Sequence, residues 1–215
     1  MVSTQKLYDA IGTTIYVSSM NLVMYNQAMQ YFLKYVWDID IKDGYRILDV
    51  GCGTGLLTFA LIQKIQPLKL ERITFYGVDF SRGMIKKFEK EAMRKGMDNV
   101  IKLTRADIQN LPYQSKFFDL VVLAGILEYP PDVNASLREI YRVLKKGAKF
   151  LLLVTRDAKG SKFILEKIFG TKRLFTEEGI KELLKYHKFR NYRRLFFKKY
   201  GWLSNKYAIL VEVEK

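Results

Sequence analysis

From residue 45 onward, short apolar runs alternate with longer stretches in which apolar residues recur every three or four positions. That alternation is the signature of parallel strands joined by crossover helices. Strands are predicted at RILDV, ITFYGV, VIKL, FDLVVL and KFLLLV. In one intervening segment Leu137, Ile140, Tyr141 and Leu144 fall at i, i+3, i+4 and i+7, so they share a helix face. Ile180, Leu183, Leu184 and His187 repeat that spacing, and Thr176 before Glu177 and Glu178 supplies an N-cap with acids in the first turn. Two β-like stretches, about residues 189–197 and 207–213, flank the turn-like GWLSN and predict an antiparallel hairpin at one sheet edge. Ahead of the first strand, Tyr25, Met29, Phe32 and Val36 mark a helix over about residues 22–36, expected on the rim or over the ligand cleft. The prediction is a doubly wound α/β fold with a seven-stranded, mostly parallel sheet.

A chain of 215 residues without an internal repeat or a Pro/Gly/Ser linker predicts one domain over 1–215. Within it, 1–42 reads as an N-terminal helical lid, 43–155 as the ligand-binding core, and 156–215 as a C-terminal helix with edge strands. Apolar residues are 49% and charged residues 27%, ordinary for a globular protein, and no apolar run reaches the length of a membrane span. The first ten residues lack the pattern of a signal peptide, and the single cysteine, Cys52, cannot form an internal disulfide. Both features predict a cytoplasmic protein. Cys and His are too few for a structural zinc site, and no metal is expected.

The glycines after the first strand narrow the ligand. Gly51, Gly53 and Gly55 form G-x-G-x-G with Asp49 two residues ahead, tighter than the G-x-G-x-x-G of a dinucleotide fingerprint. Glycines here let a ligand approach the backbone closely. An acid beside the loop repels a pyrophosphate, whereas it suits a ligand carrying an ammonium group and a sulfonium. S-adenosyl-L-methionine is such a ligand.

ILDVGCGTG resembles the first motif of the class I S-adenosylmethionine-dependent methyltransferases, and the likeness continues over about residues 45–154. YGVDFS ends the second strand on Asp79, where the family places an acid that binds both ribose hydroxyls, with Phe80 following. RADIQNLPY puts Asp107 and Ile108 where the family holds the adenine: the carboxylate accepts from the exocyclic amine and the Ile108 amide meets a ring nitrogen. FFDLVVLAGILEYPPD, followed by LREIYRVLKKGAKFLLL, is similar to the fourth strand, helix and fifth strand of the small-molecule branch. The resemblance implies a Rossmann-like fold and a cofactor site of Asp49, Gly51, Cys52, Gly53, Asp79, Phe80, Asp107, Ile108 and Ala124. It also implies S-adenosylhomocysteine as product. Cys52, inside the loop, reads as a small buried spacer rather than a nucleophile, and the N/D-P-P-Y/F motif of nitrogen methylation is missing.

Such an enzyme performs an in-line displacement at a sulfonium methyl, so alignment of the acceptor carries much of the rate. A base is required only for a hydroxyl or an acidic carbon. Tyr16, Glu128, Tyr129 and His187 are the sequence's candidates, with Tyr16 and Glu128 favoured and His187 read as structural. LYDAIGTTIYV is similar to the start of ubiquinone and menaquinone C-methyltransferases, with Tyr16 at their lid tyrosine. Gly12 replaces that family's alanine and Val17 its aspartate, so only a lid role carries over. The leading expectation is therefore a small-molecule acceptor.

Charge opens an alternative. The net charge is +15, and residues 133–215, with 21 basic and 8 acidic side chains, supply +13 of it. KYHKFRNYRRLFFKKY mixes seven basic residues with six aromatics, a composition able to track RNA phosphates and stack bases, or to meet an anionic membrane surface. In an ordinary amphipathic strand, Arg190, Arg194 and Lys198 would instead face solvent while Phe189 and Phe197 pointed inward. A cofactor-binding scaffold without catalysis is the third reading.

Overall fold

Neighbouring residues of the first strand, β1 (Arg46–Val50), enter opposite cores: Ile47 joins one apolar cluster and Leu48 the other. The division continues in β2 (Thr74–Asp79), β4 (Phe118–Ala124) and β5 (Leu144–Thr155). Leu120 and Val122 go to one side, Val121 and Leu123 to the other. A strand buried on both faces reads as a continuous apolar run, which is why these segments stood out. Helices α1 (Leu56–Ile65) and α2 (Arg82–Arg94) cover one face with Leu57, Leu61, Ile85 and Phe88. Helices α3 (Val133–Val143) and α4 (Glu177–Tyr186) cover the other with Leu137, Ile140, Ile180 and Leu184.

This computed structural model describes residues 40–70, 72–158, 173–196, 205–206 and 208–215. The expected helix over 22–36, nearly all of the 1–42 lid, and Tyr16 lie outside the described residues. With β3 (Ile101–Arg105), β6 (Arg190–Leu195) and β7 (Ala208–Glu214), the strands form one sheet in the order β3-β2-β1-β4-β5-β7-β6. The first five are parallel, and β7 runs antiparallel to both neighbours. The expected Rossmann-like sheet with an antiparallel C-terminal pair is present. The later strand of that pair lies inside the sheet, and β6 forms the rim.

Several boundaries are set by caps. Thr176 accepts from the Gly179 amide at 3.0 Å, the N-cap its sequence predicts. Leu144, expected on a helix face, instead leaves α3 with extended backbone angles (φ −69°, ψ 140°) and begins β5. The Lys215 ammonium donates to the carbonyls of Tyr141, Arg142 and Leu144, satisfying acceptors at that helix end.

One expectation about the basic edge is corrected. Arg190 faces solvent, but the Arg194 side chain is only 7% exposed and donates to the carbonyls of Leu210 and Ala208 at 2.9 and 3.1 Å. The cause is a register shift between Arg190 and Arg193, with Asn191 in the left-handed region at φ 54°. One extra residue reverses the alternation, so positions four apart lie on opposite faces.

Strand order reverses at β1, with β2 on one side and β4 on the other. In a doubly wound sheet the crevice at such a point, beyond the carboxyl ends of the strands, accepts ligands.

Candidate active site

The chain leaves β1 into a loop held from below by a single carbonyl. Val78 O, in β2, accepts from the amides of both Gly51 and Cys52, at 2.7 and 3.0 Å. Gly55 then donates to Cys52 O at 2.9 Å, and α1 follows. Gly53 has φ 54°, and a Cβ built there meets nothing within 4 Å. Its backbone therefore borders open space, with no side chain between it and the cleft.

Asp79 joins this loop to the next one. Its Oδ2 accepts from Gly53 N at 3.0 Å and its Oδ1 from Ser81 N at 2.9 Å, while Ser81 caps α2 through Met84 N. Asp49, only 3% exposed, accepts from the Thr58 hydroxyl at 2.7 Å. Burial raises its pKa to about 7; the Thr58 bond opposes the shift and the charge of Asp79 adds to it. Burial also pushes the Cys52 thiol well up, so this sulfur stays protonated.

Asp49, Gly51, Cys52, Gly53, Asp79, Phe80, Asp107, Ile108 and Ala124, the residues expected to meet the cofactor, all line one cleft of about 250 Å³. Leu57, Met84, Ile126, Pro130 and Pro131 give it a mainly apolar wall. Three carboxylates face it, and among the described residues neither Lys nor Arg lines it. A negative, low-dielectric cleft favours a cationic ligand and repels a phosphate.

The candidate bases separate. Tyr129 lines the cleft. Glu128 does not: it is 1% exposed, and its Oε1 accepts from Thr155 N at 2.6 Å, pinning the exit of β4 to the end of β5. The turn after β4 aims Ile126 at the loop, close enough that a Cβ on Gly51 would overlap it, and carries Glu128 away. Glu128 Oε2 lacks a hydrogen-bond partner among the described residues, and burial raises the carboxyl's pKa. His187 is buried outside the cleft with Nε2 against Asn134 Oδ1 at 2.9 Å, the structural role expected of it.

Sequence reasoning missed Met84, Ile126 and Gln109. Gln109 follows Asp107 by two residues and donates to it through both its backbone and its side chain. The short polar D-x-Q spacing is the available signal, since an Asp side chain readily receives amides two residues on.

The family described as methyltransferase domain matches residues 41–186. The demethylmenaquinone methyltransferase of Lactobacillus johnsonii is 34% identical over 122 residues, 57% of this chain and 48% of that protein. That of Lactiplantibacillus plantarum is 30% identical over 154 residues, 71% of this chain and 62% of its own. The chain thus spans about half the length of the curated relatives it matches. A solved S-adenosylmethionine-dependent methyltransferase from Aquifex aeolicus superposes with a TM-score of 0.70 at 15% identity, over 93% of this chain and 96% of that one, a likeness of fold. Loop, sheet and family match agree: the chain belongs to the methyltransferase-domain family.

Proposed function

We propose that this chain transfers the cofactor's methyl group to a carbon of an apolar aromatic small molecule, a naphthoquinone precursor of the class named by its demethylmenaquinone methyltransferase relatives. The observation that carries the reading is the cleft itself: three carboxylates, an apolar wall, and no Lys or Arg among its described residues. Asp49 suits the cofactor's ammonium group, Asp79 the ribose hydroxyls, and Asp107 with the Ile108 amide the adenine. Gly51, Gly53 and Ala124 leave room for close approach, Cys52 is a spacer, and Phe80 flanks the nucleoside.

Bound, S-adenosylmethionine supplies an electrophilic methyl on sulfur. The acceptor carbon must therefore be electron-rich, as in a reduced quinone whose ionised hydroxyl pushes electrons into the ring. It gains the methyl and releases its ring proton. The protein's part is to align the acceptor and exclude water, which the apolar wall of Ile126, Pro130 and Pro131 is suited to do. Tyr129 is the wall's titratable group on that side, and Tyr16 is proposed as the lid residue. Glu128 supports β4 and β5 rather than touching the acceptor.

The basic C-terminal third supports the same reading. β6 lies four strands from β1, roughly 19 Å at ordinary strand spacing. There Arg193 pairs with Glu212 and Arg194 is turned inward. Among the described residues no helix is long and apolar enough to cross a membrane. The proposal includes residence in the cytoplasm, which the lone thiol supports.

The test is methyl transfer from labelled S-adenosylmethionine to a chemically reduced, prenylated naphthoquinone that lacks its ring methyl. Label in the organic extract, with a methylated product by mass spectrometry, is the expected result. Label that appears only in a ribonuclease-sensitive fraction of lysate would transfer the reading to RNA, and binding without transfer to any fraction would make the chain a scaffold.

A further inference from the structure

The carboxylate expected to receive the adenine amine is already engaged by the protein's own amide. Asp107 Oδ1 accepts from the Gln109 backbone N at 2.9 Å. The Gln109 side-chain Nε2 then stands 3.3 Å from Oδ1 and 3.2 Å from Oδ2, spanning the open end of the carboxylate. A primary carboxamide is a planar NH₂ donor, the same hydrogen-bonding group as an exocyclic amine on a purine. Both need the same approach to Asp107.

The other end of that side chain is also occupied. Gln109 Oε1 accepts from Asp132 N at 3.1 Å, and Asp132 is the N-cap of α3. Pro130 and Pro131, directly before it, belong to the cleft wall, as does Gln109. One side chain therefore ties the nucleoside end of the cleft to the segment that shapes its acceptor wall.

We propose that Gln109 is an intramolecular competitor for the adenine amine, displaced from Asp107 when the cofactor is held, and that its displacement releases the Asp132 amide. This rests on the reading of Asp107 as the adenine's partner. Two consequences follow from the chemistry. Part of the cofactor's intrinsic affinity is spent on eviction. A purine that presents a carbonyl in place of the amine turns an acceptor toward the carboxylate, its one remaining edge N–H lying on the neighbouring ring nitrogen, so it does not evict Gln109 and its affinity is independent of that side chain.

Calorimetric titration of the full chain with S-adenosylhomocysteine and with its deaminated analogue, S-inosylhomocysteine, tests the idea. Gln109→Leu keeps similar bulk and removes the donor. It is expected to bind S-adenosylhomocysteine about three- to tenfold more tightly, the range set by the net worth of one intramolecular hydrogen bond. Binding of the inosyl analogue should not tighten. In the wild-type protein, exchange of the Asp132 amide should accelerate when S-adenosylhomocysteine is added. Unchanged or weaker binding by Gln109→Leu overturns the proposal, and so does an Asp132 amide that becomes no faster. Asp107→Asn separates the two levels. If it binds S-adenosylhomocysteine as the wild type does, the adenine reading of Asp107 falls and the competitor with it. If it binds weakly while Gln109→Leu fails to tighten, only the competitor falls.

Discussion

The hydroxyl of Thr58, on the first turns of α1, donates to the buried carboxylate of Asp49 at the end of β1, so helix and strand share one acid at 2.7 Å. That acid is held near neutrality by burial, with a pKa of about 7 against an ordinary 3.8. Between those values the folded chain binds a proton that the unfolded chain does not. The stabilising contribution is therefore present at low pH and is lost as pH rises through about 7. Asp49→Asn should raise the melting temperature at pH 8 and flatten this group's share of the pH dependence. A cationic ligand prefers the ionised form, so affinity for S-adenosylhomocysteine should fall as pH drops below about 7, and Asp49→Asn should lose that slope. Calorimetry across pH 5.5 to 8 reads both; a wild-type affinity flat over that range removes Asp49 from the ligand's surroundings.

Asp79→Ala removes the tethers to Gly53 and Ser81 together with the proposed acceptor for ribose. Loss of charge-assisted hydrogen bonds should weaken S-adenosylhomocysteine binding by roughly 1.5 to 3 kcal/mol. Titration calorimetry with wild-type affinity retained would refute the ribose role.

Glu128→Gln keeps an oxygen for the Thr155 amide and removes the charge. Burial raises the carboxyl's pKa, so its contribution to stability is present in acid and lost as pH rises through the folded value. The Gln variant should melt no lower than wild type at neutral pH and should retain methyl transfer. Loss of transfer with an unchanged melt would make Glu128 a base after all.

Arg194 and Arg190 lie four residues apart and should behave differently. Arg194→Gln takes a charged donor from the carbonyls of Ala208 and Leu210 and should cost about 2 to 3 kcal/mol in urea melts. Arg190→Gln, at an exposed position, should stay within about 0.5 kcal/mol. Equal effects would contradict the register shift at Asn191.

What could be read from the chain alone was whatever depends on near neighbours. The loop from Gly51 to Gly55, the acids ending β2 and following β3, and the Thr176 cap are set within a few residues, so their spacing is visible. The direction of Glu128 was not legible because it depends on Thr155, 27 positions away. The turn that sends it there is chosen by packing of Ile126 over Gly51. Arg194 was misjudged because the bulge beside it has no glycine to announce it: Asn191 takes the left-handed conformation instead. Gln109 was visible but silent, since its partners on both sides only meet when β3 and α3 are folded together.

The insertion of β7 between β5 and β6 separates the order of synthesis from the order of assembly. By the time Thr155 has been made, every strand that frames the glycine loop exists, and the ligand crevice can close around its own core. β6 emerges next with no place to dock, because its neighbour in the sheet has not yet been translated. Until residues 208–214 arrive, β5 presents a row of unpaired amides and carbonyls, and that bare edge is where a nascent chain of this protein is most open to mispairing.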